Sequence, residues 1–213
     1  MRTFEPQKLM RLSGRVAVMG LLFFSAMGSV FANDELSKGL PPEVKVGDQW
    51  KLVQKDARTG IVELEVTRTV SAVTAEKVEG TENDKSFAMT HGGVVIDSST
   101  LSFSGDLKTL DYPLQVGKKW EYKQKVRNHQ RNMDIRRQAS AHVEAVEKIK
   151  VPAGEFEAFR VQTDGYWNNE TTGRSGSFKM TSWYSPAAKH VVKFIYNDGF
   201  TNSVTELVEM KLN

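Results

Sequence analysis

From Val44 to the end of the chain, apolar and polar residues alternate with a period of two, and β-branched and aromatic residues fill many of the apolar positions. That period belongs to strands with one buried face, because successive side chains of a strand point to opposite sides. The clearest case is 60–73 (GIVELEVTRTVSAV), which places Val62, Leu64 and Val66 on an expected inward face and Glu63, Glu65 and Thr67 outside. The theme recurs at 120–126, 139–151, 156–163, 177–184, 190–196 and 201–212. Turn chemistry separates these runs. Val151-Pro152-Ala153-Gly154 offers Pro for the first central turn position and a Gly able to take positive φ, and Asn197-Asp198-Gly199 does the same near the end. No stretch after residue 32 keeps a helical period beyond a few turns, so a short helix is expected only in the leader or around 106–110. The expected fold is all-β and mainly antiparallel, a curved sheet or half-open barrel.

Two short elements recur in order. Val46-Gly47-Asp48-Gln49-Trp50 returns as Val116-Gly117-Lys118-Lys119-Trp120, and Val70-Ser71-Ala72-Val73 returns as Val143-Glu144-Ala145-Val146. The spacing from tryptophan to valine is 20 residues in the first copy and 23 in the second, a difference that one longer hairpin absorbs. Two duplicated meanders, 44–110 and 111–213, are expected, with Trp50 and Trp120 as buried equivalents.

The first 32 residues follow a different logic. Arg2, Lys8, Arg11 and Arg15 precede an uncharged run from Val16 to Ala32, interrupted by Gly20, Ser25, Gly28 and Ser29. That is the layout of a secretory signal, and its 17 uncharged residues are short for a membrane span of roughly 20. Cleavage is expected between Ala32 and Asn33. Residues 33–43, with Pro41-Pro42, read as a flexible leader, and 44–213 as a single β-rich domain. The signal carries four basic residues and one acid, so the rest of the chain holds 25 of each sign. A neutral domain gives no support to nucleic-acid binding. The chain has no cysteine, which removes disulfides, fits a bacterial envelope protein and leaves no lipid-anchoring thiol at the cut. The expected location is periplasmic or secreted, with no stable membrane anchor after cleavage.

The phrases YPLQVGKKWEY (112–122), EKIKVPAGEFEAFRV (147–161) and TSWYSPAAKHVVKF (181–194) carry a resemblance. Their VG-x-x-W, VPAG-x-F and WYSP motifs, in that order, resemble a family of exported bacterial β-domains. Such domains are similar in architecture to the half-open barrels of periplasmic lipoprotein carriers, whose concave face holds acyl chains. The resemblance spans about half of the chain after residue 32, and its motifs are structural punctuation, so it implies a fold and not an activity.

Catalytic signatures are missing. His91, His129, His142 and His190 show no metal-ligand spacing. Gly173-Arg174-Ser175-Gly176 sits in a polar turn, not at a strand-to-helix elbow. Asp97, Asp106 and Asp111 have the context of turn residues, and no phosphate-binding loop or cofactor fingerprint occurs, so neither an enzyme nor a cofactor is expected. Two classes of function follow. One is a binding module for a lipid or acylated ligand, with Trp120, Trp167, Trp183 and Tyr184 as candidate contacts. The other is an assembly or structural factor that works through contacts with an envelope protein at a sheet edge or hairpin. The most uneven charge lies at 118–137, where Lys123, Lys125, Arg127 and Arg136 are candidate contacts for anionic envelope material such as lipid head groups.

Overall fold

The computed structural model describes residues 39–213, so the cleavage site expected at Ala32–Asn33 and leader residues 33–38 lie outside the described residues. Twelve strands follow one another: β1 (Gln49–Asp56), β2 (Val62–Val73), β3 (Val78–Glu82), β4 (Lys85–Met89), β5 (Val95–Asp97), β6 (Leu101–Gly105), β7 (Lys119–Asn128), β8 (Met133–Val151), β9 (Gly154–Asn169), β10 (Ser175–Ser185), β11 (His190–Asn197) and β12 (Asn202–Lys211). Each pairs antiparallel with the next, and β12 pairs back onto β1 from Gln49↔Lys211 to Asp56↔Ser203. The sheet is therefore a closed up-and-down barrel, where the sequence pattern suggested a half-open one. Closure depends on a pair of strands about 150 residues apart, which no local pattern records. No helix occurs among the described residues, and 106–110 is an irregular stretch instead of the short helix expected there.

Up-and-down connectivity fixes the two ends. The hairpins β1–β2, β3–β4, β5–β6, β7–β8, β9–β10 and β11–β12 all turn at one end, and the remaining connections turn at the other, where β1 begins and β12 finishes.

The two recurring sequence elements build the same corner twice. Gly47 and Gly117 have φ of 88° and 87°. Gly47 N–H donates to the Val70 carbonyl and Val70 N–H to the Asp48 carbonyl, as Gly117 N–H donates to Val143 and Val143 N–H to Lys118, all at 2.9 Å. A bulge follows each corner, between Val70 and Ala72 and between Val143 and Ala145. The tryptophans that open the strands do not match. Trp50 is fully buried, its Nε1 donating to the Ala188 carbonyl at 2.8 Å, whereas Trp120 is half-buried against the Lys108 carbonyl.

Two apolar clusters fill the fold. One gathers Trp50, Leu52, Val66, Val70, Val78, Phe87, Met89 and Leu207, and the other Tyr122, Ala139, Ala141, Val143, Phe159, Val161, Phe178 and Tyr184. Beyond the bulge at Val143, the β8–β9 hairpin keeps one exposed face, with Val146, Lys148, Lys150, Glu155 and Glu157, and the neighbours Ala158 and Phe159 belong to different clusters. Its tip reaches β12, where Ala153 N–H donates to the Leu207 carbonyl. The expected inward trio of β2 is only partly realised. Val66 is buried, but Val62 and Leu64 are 49% and 44% exposed, because β2 meets β3 only from Arg68 onward and a register shift opposite Gln54 and Lys55 breaks its alternation.

Candidate functional site

Alternation on β7 turns Tyr122, Gln124 and Val126 inward and leaves Lys119, Glu121, Lys123 and Lys125 exposed. Cross-strand register carries this division across β7–β10 and, in one row, onto β6. One outward row reads Lys123–Gln138–Tyr166–Ser177, and the next reads Ser104–Lys125–Arg136–Asn168–Ser175. These rows line a groove of about 520 Å³ on the outer wall, whose residues include Lys123, Arg136, Gln138, Tyr166, Asn168 and Ser177. Tyr166 is 74% exposed there. A second concavity of about 200 Å³ adjoins it at Ser104, Lys125, Arg127 and Glu170. Behind this wall, Gly165 and Gly176 leave room because they have no Cβ. Phe178 and Trp167 occupy the space on the inner side, and an added Cβ would meet them at 2.5 and 2.9 Å.

The four candidate cations divide into two kinds. Arg127 pairs with Asp134 at 2.7 Å and also binds Asn132, while Arg136 pairs with Glu170. Lys123 and Lys125 are exposed and make no ion pair among the described residues. The free positive charge of this face thus comes mainly from two lysines, two residues apart on one strand. Gln138, Tyr166, Asn168, Ser175 and Ser177 surround them with hydroxyl and amide groups. The candidate set drawn from sequence omitted Tyr166 and its polar neighbours. Their signal was parity, since Asp164, Tyr166 and Asn168 fall on the exposed face of β9 while Thr163, Gly165 and Trp167 face inward.

The four candidate aromatic contacts do not form one surface. Tyr184 is 1% exposed, donates to the Leu40 carbonyl at 3.1 Å and meets Tyr112 edge-on at 5.3 Å. Burial pushes its phenol above the ordinary range. Trp183, at 9%, donates to Glu147 at 2.7 Å and lies in the other cluster. Trp120 and Trp167 are half-buried at the margin of the second cluster. Trp167 lies inside the wall, edge-on to Phe200, which is 77% exposed. Beside it on the inner side, Arg137 sits between Phe178 and Tyr196, 5.5 Å from each ring, and donates to the Tyr196 hydroxyl at 3.3 Å. Burial raises the phenols of Tyr122 and Tyr196 to about 12, against a smaller opposite pull from Arg137.

The titratable residues weighed for catalysis are spread over the fold. Asp97 lies 3.7 Å from His129, and Asp111 pairs with Lys118 at 2.9 Å. His190 lies 5.2 Å from the Trp50 ring, and burial, helped by Arg68, lowers its pKa to about 4. No group of three or more His, Asp or Glu among the described residues could hold a metal ion. Asn169 is buried, and its side-chain oxygen accepts the N–H groups of Thr171 and Thr172 at 3.0 Å.

No protein-family model and no curated protein sequence matches the chain. Solved structures do. A protein of Parabacteroides distasonis described as a lipoprotein superposes with a TM-score of 0.57 at 13% identity, covering 82% of this chain and 99% of its own. A Bacteroides fragilis protein described as exported, with a YmcC-like fold, gives 0.52 at 13% identity and the same coverage. At that identity the likeness is one of fold.

Proposed function

We propose that this protein is an exported, non-catalytic binding module that takes an amphiphile by its anionic head group in the groove across β7–β10. The proposal places it in the periplasm or outside the cell, among the exported β-domains whose motifs it resembles. The observation that carries this reading is the groove itself. About 520 Å³ of concave wall brings Lys123, Arg136, Gln138, Asn168 and the exposed ring of Tyr166 together on a domain with no net formal charge after residue 32. Cations with amide and hydroxyl donors suit phosphate or carboxylate oxygens, and an exposed tyrosine suits the boundary between head group and acyl chain. The interior supports this outer site over an internal one, since Trp183 and Tyr184 are packed into the core.

Vesicle flotation tests the reading. Wild-type protein should float with vesicles of phosphatidylcholine and phosphatidylglycerol at low salt, and much less with phosphatidylcholine alone or at high salt. Each lysine near such a surface contributes about 1 kcal/mol, so Lys123→Glu with Lys125→Glu should abolish flotation while leaving the fold intact. Absence of wild-type binding at low salt would defeat it. A second reading, an envelope assembly or structural factor acting through protein contacts, is supported by the stretch 175–178 of β10, which pairs with β9 but is not reached by β11.

A further inference from the structure

A barrel whose strands differ in length leaves some strands outrunning their neighbours, and an uncovered stretch of backbone pairs readily with foreign chains unless it is defended. In this fold most overhangs are closed. Where β12 outruns β11, the β8–β9 tip supplies the Ala153 N–H to the Leu207 carbonyl. Where β7 outruns β6, Asp106 N–H donates to the Lys123 carbonyl. At the start of β2, the Asn83 side chain imitates a strand: its Oδ1 accepts the Thr67 N–H at 2.8 Å and its Nδ2 donates to the Glu65 carbonyl at 2.7 Å. That overhang also carries the exposed Glu63 and Glu65 and the register shift near Gln54. The short overhang of β4 opens on the exposed Lys85.

The overhang of β10 has no such defence. β11 reaches it only at Lys179↔Asn197, so Ser175, Gly176, Ser177 and Phe178 pair with β9 alone. These four residues hold no charge and no proline, and the β9–β10 register runs without a bulge. Arg174 O accepts the Asn169 N–H, which turns the backbone groups of Arg174 and, by alternation, Gly176 toward β9. The N–H and C=O groups of Ser175 and Ser177 consequently face away from the sheet. Beside them lie an exposed aromatic and two cations. Trp167 covers Gly176 and meets the 77% exposed Phe200 at 6.2 Å. Arg174 and Lys179 stand exposed at the two ends, and Lys179 lies 3.7 Å from Asp164, itself exposed.

We propose that β10 adds a strand there: an extended segment of another protein pairs with Ser175 and Ser177, sets an apolar side chain against Trp167 and Phe200, and places acidic residues near Arg174 and Lys179. Backbone pairing supplies affinity, and the aromatic pair and the cations choose the sequence. This inference rests on the second reading above and not on the groove.

Two eight-residue peptides probe it, one alternating Glu and Val and one alternating Lys and Val, added to the full folded domain and followed by amide shifts and hydrogen exchange. The Glu/Val peptide should shift and protect the Ser175 and Ser177 amides and move the Phe200 signals, and the Lys/Val peptide should bind about tenfold more weakly, as expected for two cross-strand charge contacts. Ser177→Pro removes an edge donor and should abolish binding. Should that variant misfold, Ser175→Glu with Ser177→Glu, both on exposed positions, should weaken binding of the Glu/Val peptide at least about tenfold by setting like charges across the added strand. Binding unchanged in these variants, or no protection of Ser175 and Ser177 by the Glu/Val peptide at millimolar concentration, would overturn the proposal. So would a concentration-dependent dimer in light scattering with those amides protected, because the occupant would then be a second copy. Lys123→Glu with Lys125→Glu on β7, three strands from the β10 edge, should abolish flotation and leave protection of the Ser175 and Ser177 amides by the Glu/Val peptide unchanged, so the groove and the edge fail separately.

Discussion

Asp48 and Lys118 hold the same place in the two corners and do the same job with opposite charge. Asp48, fully buried, accepts the N–H of Lys45 at 2.9 Å and of Asn213 at 2.8 Å and pairs with Lys189 at 2.9 Å, so it fastens the incoming chain and the end of β12 together. Burial works to raise its pKa, but the bonds from Asn213, Lys45 and Lys189 hold it below the ordinary value. Lys118 grips the loop before its own strand through the carbonyls of Asp111 and Pro113 and the Asp111 carboxylate. Replacing Asp48 by Ala leaves two backbone donors and an ammonium short of a partner, and should cost about 3 kcal/mol in urea unfolding. Trp50→Ala should cost about 3 to 5 kcal/mol, the range for emptying a buried aromatic site, and Trp120→Ala clearly less because Trp120 is half-buried. His190 gives the pH signature. Its folded pKa of about 4 lies below the unfolded value near 6.5, so the unfolded chain binds the proton more readily. Stability from this residue is complete above pH 6.5 and falls as pH drops toward 4. Urea midpoints at pH 7 and 4.5 should differ more for wild type than for His190→Gln, which cannot titrate.

At the scale of elements, the two glycine corners offer a paired test. Both glycines hold a left-handed backbone, but an added Cβ at Gly117 meets nothing within 4 Å, while at Gly47 it would fall 2.3 Å from the Asn213 amide nitrogen. Gly117→Ala should therefore cost about 1 to 2 kcal/mol of backbone strain, and Gly47→Ala more, since the chain end must move. Equal losses would mean that Asn213 is not fastened at that corner in solution. The strands themselves were legible because β-branched alternation survives in sequence, as on β7 and β9. Val62 and Leu64 were misplaced because alternation tells which residues share a face but not how far the neighbouring strand extends. Trp120 was misplaced because a motif fixes a corner and leaves the cover of the next side chain to a distant loop.

For the whole barrel, pairing is uneven around the ring. β8 and β9 pair over 16 positions, whereas β5 and β6 share a single pair, Asp97↔Ser102. Local opening follows the thin part of the wall. Amide hydrogen exchange should be fastest at β5–β6 and slowest at β8–β9, and uniform protection would show that the ring opens as one unit. The basic wall and the open β10 edge lie on the strong side of the barrel. Contacts made there would meet a preformed surface.

The sequence by itself determined the β class, the turns, the paired glycine corners and the basic character of 118–137, because each is written in neighbouring residues: alternation, positive-φ glycine and local charge. It also marked Lys123 and Lys125 as outward, a matter of parity. Tertiary structure decided that the sheet closes, that Arg127 and Arg136 are largely neutralised by Asp134 and Glu170, that Trp183 and Tyr184 belong to the core, and that Tyr166 stands in a groove. These depend on which strand lies beside which and on how far each extends. Register and length across a barrel are set by many distant contacts at once, and no short stretch of the chain contains them.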